Sequence, residues 1–393
     1  MRRIDLKTVQ AANLHTVRDI NRRIVLNYVR EREPISRAAI ARETALQRST
    51  ISEIVEALTN EGLVEEIGEG ESTGGRRPTL LRLRTVGAIA IGVNITPTYT
   101  TIASSYLAGG VVQQETFPTN PDPDLEMACI INIIRKFAAQ NPIEGVGVSI
   151  PGLVNPATGD VIFVPYFKWR DLPIAETISH GTGLAVTIDN DANAVGLAEL
   201  WFGQSDVGDA RDFIFVLVAE GVGTGIIFDG QVYRGAGGAA GEFGHMIVSS
   251  NAPVPCSCGN DDCWEAFASE RAATARYARL IGASAVPAFQ TLIDRALAGQ
   301  PEAMTALTET ARYLAIGISN LVVGFSPEAV IVGGAITRAW PLIEKTLTEK
   351  IERSVRRGVP SAQIRRSTLN GDPTLMGALS LVLASKFAGV ANA

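Results

Sequence analysis

The sequence predicts an α/β protein in two unlike parts. A winged helix-turn-helix is expected over residues 1–84, and behind it, over 85–393, a duplicated α/β body whose two lobes face each other across a cleft. Three observations lead there. Charge is divided: residues 1–84 hold fifteen Lys and Arg against twelve Asp and Glu, a balance of +3, and the chain's total of −6 therefore leaves −9 for the remainder. Apolar residues recur at helical spacing before residue 62 and in short strand-like runs after residue 87. Three of the four cysteines crowd into CSCGNDDC, residues 256–263. A chain of 393 residues exceeds the size at which one hydrophobic core stops growing, so two or three domains are expected.

Composition excludes some classes. No run of eighteen apolar residues suggests a membrane span, and MRRIDLKTVQAANLHTV has basic residues without the apolar core of a secretory signal. The expectation is a cytoplasmic protein with no membrane partner. Reducing conditions there disfavour disulfides, and three clustered thiols cannot all pair, so a metal is the leading explanation for them. Cys129, alone in MACIINII, is expected to be a small buried hydrophobe.

The N-terminal elements follow in order. LKTVQAANLHTV is expected to form an extra helix used in dimer contact, with His15 at its surface. In INRRIVLNYVRER, Ile20, Ile24, Val25 and Tyr28 stand at helical spacing. Ser36 follows Pro34 and can cap a second helix, RAAIARETA. Ala45-Leu46-Gln47 turns the chain into a third, STISEIVEALTNEG, whose stripe Ile51, Ile54, Val55 and Leu58 directs Ser49, Thr50, Ser52 and Glu53 outward, with Gly62 ending it. Two short helices joined by a tight turn, the second offering small hydroxyl residues at its start, fit a reader of the DNA major groove. The strand-like LVEEI and LLRLR flank GEGESTGGRRP as a wing. Gln47, Arg48, Ser49, Thr50 and Ser52 are the expected base-side contacts, and Arg76 and Arg77 the phosphate or minor-groove contacts. The alternative is a three-helix packing module that only holds partners together.

The body begins with three strands, GAIAIGVNI, TTIASSYL and GVVQQETF, then a helix, LEMACIINIIRKFAAQ, then the strand GVGVSIPG. VTIDNDANAVGLAELWFG passes from strand to helix. DFIFVLVAEGVGTGIIFDGQVYRG reads as two strands around a Gly-rich turn plus a hairpin at Asp229-Gly230, repeating the theme of the first half. The C-terminal third is expected to be helical, interrupted by the strand AVIVGG at 329–334.

With these elements placed, the chain resembles the ROK family, named for repressors, open reading frames and sugar kinases, over almost its whole length. The resemblance rests on STGGRRP, SIPGLVNPATGDV, DNDANAVGLAE, GVGTGIIFDGQVYRGAGGAAGEFGHM, CSCGNDDCWE and the late IVGG, in that order. It implies an actin/hexokinase-like (ribonuclease H-like) fold for the body. Cys256, Cys258 and Cys263 supply three thiolates and His245 a fourth ligand for a closed, structural zinc, one per chain, and the resemblance places zinc on these same residues. It also implies that Asn190, Asp191, Glu242, His245 and Glu265 bind sugar hydroxyls, with zinc on one imidazole nitrogen of His245 leaving the other as an oriented hydrogen-bonding group. The alternatives are loop bracing for Glu242 and Glu265 and helix capping for Asn190 and Asp191.

In kinases of the family the aspartate matching Asp191 is the base, and the first phosphate-binding segment resembles Asp-x-Gly-Gly-Thr-Lys. Here Asn94-Ile95-Thr96-Pro97-Thr98-Tyr99 stands in its place, without the carboxylate, the glycines or the cation. Gly221-Val222-Gly223-Thr224-Gly225 keeps its glycines, but Glu220 precedes them. Where the family often carries Pro-Asn-Leu, this chain has Pro165-Tyr166-Phe167, two aromatics expected at the pocket edge. The expectation is a sugar-responsive repressor of carbohydrate-utilisation genes with a degenerate, non-catalytic kinase domain, acting on operator DNA as a homodimer or dimer of dimers. The alternative is an ATP-dependent sugar kinase.

Overall fold

The computed structural model describes residues 21–70 apart from 23, 27, 30 and 31, and then 77–84, 89–106, 110–203, 210–354, 362–369 and 372–387. The expected first helix with His15, the start of the next helix at Ile20, wing residue Arg76 and the boundary at 84/85 lie wholly or partly outside the described residues.

Residues 21–32 are helical wherever described (α1). Strand β1 (Ile35–Ser36), helices α2 (Arg37–Thr44) and α3 (Arg48–Asn60), and strands β2 (Val64–Glu69) and β3 (Thr79–Leu83) complete the N-terminal unit, with sheet order β1-β3-β2. Ser36 caps α2 by accepting the Ala39 N–H, and Ala45 enters the left-handed region to turn the chain. Ile51, Ile54, Val55 and Leu58 are the buried residues of α3, as the stripe requires. On α1 the stripe is displaced. Val25, Leu26 and Val29 are buried while Ile24 and Tyr28 are half-buried, because the helix turns its Leu26 and Val29 face toward α2, α3 and β3.

The first lobe holds β4 (Ile89–Ile95), β5 (Tyr99–Tyr106), β6 (Val111–Pro118), α4 (Pro123–Ala138) and β7 (Ile143–Ile150). A small meander follows, β8 (Leu153–Asn155), β9 (Asp160–Val164) and β10 (Trp169–Leu172), and then α5 (Ile174–Thr182), β11 (Val186–Asn190) and α6 (Asp191–Phe202). The second lobe holds β12 (Phe213–Val218), β13 (Val222–Phe228), β14 (Gln231–Val232), α7 (Trp264–Ala268), α8 (Glu270–Ile281), α9 (Phe289–Leu297) and α10 (Pro301–Phe325). It closes with β15 (Ala329–Gly333), α11 (Trp340–Ser354) and β16 (Gln363–Arg366), and the last helix, α12 (Pro373–Phe387), returns to pack on the first lobe's sheet.

The duplication is visible in the sheets. Their orders are β11-β7-β4-β5-β6 and β16-β15-β12-β13-β14. In each, three antiparallel meander strands are extended by two parallel ones. The C-terminal third thus holds two strands rather than one. QIRR is too short and too polar to signal β16, which exists because β15 offers it an open edge. Asp229 and Gly230 both take positive φ, the geometry of a two-residue hairpin turn. Cys129 is half-buried rather than buried, since α4 turns Met127, Ile130 and Ile134 inward and leaves it on the flank.

Helices α6 and α12 pack face to face between the lobes. A Cβ on Gly377 would lie 2.8 Å from the Ala194 carbonyl carbon, and one on Gly147 would collide with the Ala378 carbonyl, so glycine is what lets α12 lie this close. Both helices then reach the N-terminal unit. One continuous apolar cluster contains Val25, Val29, Ile51, Val55 and Leu58 together with Leu379, Val382 and Leu383 of α12, with Trp201 and Phe202 of α6 packed against it.

Candidate functional site

A tight 3-10 turn, Glu242–His245, presses against β13: a Cβ on Gly244 would meet the Val222 carbonyl, so only glycine allows the approach. The turn carries His245 to the loop before α7, which is tied back by the Trp264 N–H donating to the Met246 carbonyl at 2.8 Å. Nδ1 of His245 and the Sγ atoms of Cys256, Cys258 and Cys263 all lie within 4.8 Å of one another. Individual separations are 3.3 Å from Nδ1 to Cys256 and 3.2 and 3.8 Å from Cys258 to Cys256 and Cys263. Tetrahedral zinc with Zn–S bonds of about 2.3 Å spaces its sulfurs by about 3.8 Å. Three thiols and an imidazole so arranged fit such an ion.

The same turn faces a cavity of about 820 Å³ between the lobes, and Asn190, Asp191, Glu242, His245 and Glu265 all line it. His245 directs Nδ1 at the thiols and holds Nε2 3.6 Å from Glu242 Oε2. Glu265 divides its carboxylate. Oε1 accepts from Ser257 Oγ at 3.1 Å and the Ser257 N–H at 3.3 Å and lies 2.9 Å from Cys256 Sγ, while Oε2 looks toward Gly221, where an added Cβ would stand 2.6 Å away. It braces the cysteine loop and lines the cavity at once. Asn190 likewise caps α6, its Oδ1 accepting from Ala192 and Asn193, while its Nδ2 donates to the Gly152 carbonyl at 3.0 Å. Asp191 opens α6, and desolvation pushes its carboxyl up to about 7, with the Ala192 N–H opposing the shift and Glu242 adding to it.

Tyr166 lines this end of the cavity, but Phe167 turns away to pack on Trp169, ring centroids 4.7 Å apart. The expectation for this pair is corrected: of Tyr166 and Phe167 only Tyr166 lines the cavity, and the other rings there come from Phe163 of β9 and Tyr99 of β5. Sequence reasoning also missed Asp189, which is buried and takes both Nε and Nη2 of Arg234, at 2.8 and 2.7 Å. That ion pair fixes the strand end from which Asn190 and Asp191 project; the signal, a second acid in DND, was readable.

The cavity is also lined by the β4–β5 turn, by Gly334–Ala335 and by the start of α12, with Gly221–Thr224 running beside Glu265 and Asp191. Asn94 is fully buried, donating to Thr374 Oγ1 at 2.7 Å and more distantly to Asp372. In the turn, the Thr96 N–H donates to the Tyr99 carbonyl and the Tyr99 N–H to Thr96 Oγ1, while Pro97 has none to offer. Glu270, at the start of α8, is pushed up to about 7 by burial and by Glu220. Asp372-Pro373-Thr374, a cap followed by an N-terminal proline, was a legible helix start that the sequence reading passed over.

At the far end of the molecule, Gln47, Arg48, Ser49 and Ser52 of α3 are exposed and Thr50 is half-buried. Ser52 Oγ donates to the Arg48 carbonyl one turn back. Arg22, Arg37 and Arg82 are paired with Glu61, Glu66 and Glu65, whereas Arg48 and Arg77 have no acidic partner among the described residues.

Comparison with known proteins bears on both ends. The model of the ROK family matches residues 90–385, and that of a winged helix-turn-helix DNA-binding domain matches 18–65. The chain is 33% identical to the xylose repressor of Caldicellulosiruptor bescii over 390 residues, 94% of this chain and 97% of that one. A crystal structure of a ROK family transcriptional regulator, described as a homologue of the Escherichia coli MLC protein, superposes with a TM-score of 0.81 at 25% identity, covering 95% of this chain and 97% of that one. A ROK family glucokinase from Streptomyces griseus, in complex with glucose and AMPPNP, superposes with a TM-score of 0.68 at 28% identity, covering 75% and 98%. Among the described residues no helix is long and apolar enough to cross a membrane.

Proposed function

This chain belongs to the ROK family, and from that premise we propose that it is a DNA-binding transcriptional repressor of carbohydrate-utilisation genes whose kinase-like body binds a sugar effector. The observation that carries this reading is structural continuity between two ends of one chain: an exposed helix of the helix-turn-helix at one and a cleft lined by carboxyl groups, an amide and an imidazole at the other, linked by α6 and α12, which pack into the apolar cluster of the N-terminal unit. The helix offers Gln47, Arg48, Ser49, Thr50 and Ser52 to base edges, and Arg77, with Arg76 beside it in sequence, to phosphates. In the cleft, Asn190, Asp191, Glu242, His245 and Glu265 bind the sugar hydroxyls, since carboxylates, an amide and an imidazole accept and donate in fixed directions to a polyol. Zinc held by His245, Cys256, Cys258 and Cys263 supplies a closed structural crosslink, and the residues themselves keep His245 Nε2 aimed at Glu242. A two-fold operator calls for a dimer, and a regulator of this kind works in the cytoplasm, where the DNA is.

Transmission follows the two helices. α6 starts in the cleft at Asp191 and ends at Phe202 against the DNA-binding unit; α12 starts at Pro373, beside Asn94, and buries Leu379, Val382 and Leu383 in the same cluster. An effector that favours one arrangement of the lobes thereby favours one placement of the DNA readers.

Phosphoryl transfer is the second reading, favoured by Asp191, whose raised pKa suits a base near neutrality. Against it stands a first phosphate turn without cation or free glycine amides. The deciding experiment is a mobility shift with the palindromic fragment upstream of the chain's own or a neighbouring sugar operon, titrated with a sugar panel, beside an assay of ATP consumption on that panel. A shift altered by at least one sugar, with no ATP consumed, is expected. Turnover of ATP without any DNA shift establishes the kinase instead.

A further inference from the structure

The cleft's charge is lopsided. Six carboxyl groups line it, those of Asp191, Glu220, Glu242, Glu265, Glu270 and Asp372, against one guanidinium among the lining residues, that of Arg338, while Arg271, outside the lining, stands 3.9 Å from Glu265. Arg338 is already engaged by Gln290 and by Asp294, the latter at 2.7 Å. Helix N-termini, the other usual source of anion binding, are closed as well. At α12 the Thr374 and Leu375 N–H groups both donate to Asp372 Oδ1 at 3.1 Å. At α6 the Ala192 and Asn193 N–H groups donate to Asn190 Oδ1. At α8 the Ala272 N–H donates to Ser269 Oγ and the Glu270 N–H to the Ala219 carbonyl. The β4–β5 turn spends two of its three N–H groups on itself.

From this arrangement, and resting on the reading of the cleft as an effector site, we propose that the effector is an unphosphorylated sugar and that the cleft rejects the corresponding phosphate ester, with Glu220, Glu270 and Asp372 as the residues that make the choice. A sugar seated against Glu242, His245 and Glu265 turns its far hydroxyl toward Asp191 and the wall beyond. A hydroxyl there donates to carboxylates. A phosphate monoester carries a charge of about −1.5 to −2 at pH 7 and brings only acceptors. It meets carboxylates within a partly desolvated cavity, where like charges are poorly screened. The raised carboxyl of Glu270, caused first by burial and then by Glu220, reflects the same crowding of negative charge.

The test uses full-length, metal-replete protein and calorimetric titration with paired probes at fixed ionic strength: glucose and glucose 6-phosphate, N-acetylglucosamine and its 6-phosphate, xylose and xylose 5-phosphate. The sugar that binds is expected to do so at least tenfold more tightly than its ester. In the Glu220→Gln/Asp372→Asn variant the gap is expected to narrow to threefold or less, whereas Glu302→Gln/Glu352→Gln, with the same change in net charge away from the cavity, leaves it intact. Glu270→Gln is the second variant should the first fail to fold. An ester that binds as well as its parent sugar, or a gap unchanged by the cavity variants, overturns the inference while leaving the effector site standing. Binding of no probe of either kind defeats the effector reading itself, and the inference with it.

Discussion

Single residues in this cleft serve two purposes. Glu265 braces the cysteine loop with one oxygen and lines the cavity with the other; Asn190 caps α6 while its amide holds the Gly152 carbonyl. The alternatives of bracing and capping, open at the level of sequence, are both present, and neither removes the residue from the cavity. Glu270 shows what such placement costs. Burial and Glu220 raise its carboxyl from 4.5 to about 7, so the unfolded chain ionises it first as pH rises. Its contribution to stability is complete below pH about 4.5 and is lost as pH climbs through about 7. Glu270→Gln is therefore expected to shrink the fall in Tm between pH 5 and pH 8, measured by calorimetry. An equal fall in variant and parent contradicts this account.

Elements differ in how openly the sequence announced them. Helix α3 was legible because it is half-exposed: only a helix with one face in water needs the spacing of Ile51, Ile54, Val55 and Leu58. The cysteine loop was legible because its spacing has no other economical use. Cys258 is exposed, so replacing its thiol by a hydroxyl removes little packing. Cys258→Ser is nevertheless expected to lower zinc content from about one per chain to well below half and to lower Tm by several degrees, because metal binding is coupled to folding. A variant as stable as the parent, or a parent free of zinc by elemental analysis, removes the metal. Strand β16 was not legible because it takes its place from the edge of β15, remote in sequence, whereas the β8–β9–β10 meander pairs locally but its strands are only three to five residues long, too short to show an alternating pattern.

Across the whole molecule the unusual feature is that DNA-binding unit and body do not keep separate cores. Leu379, Val382 and Leu383 of α12 sit in one cluster with Val25, Ile51 and Leu58. Two domains joined by a loose tether would leave the operator indifferent to the sugar; a shared core makes their placement interdependent. Trp201→Ala, at the end of α6 remote from the cavity, is expected to leave sugar affinity within twofold while reducing the sugar-induced change in operator affinity at least fivefold, read by titration and mobility shift. An undiminished sugar response in that variant would exclude α6 as the link.

The sequence by itself determined the kinds of element, the order of the two parts, the histidine and three cysteines that gather in one cluster, and five polar residues that line the cavity. These are written in local spacing: a cap three residues before a helix turn, a stripe every third or fourth position, thiols too close to ignore. The tertiary structure decided which residues share a wall. Asp372 reaches Asn94 across 278 positions, and Glu220 and Glu270 line one cavity although the cysteine loop separates them in the chain. Charge accumulates in the cleft from strands and helices far apart in the chain, and Coulomb interaction depends on distance in space, to which spacing along the chain is blind.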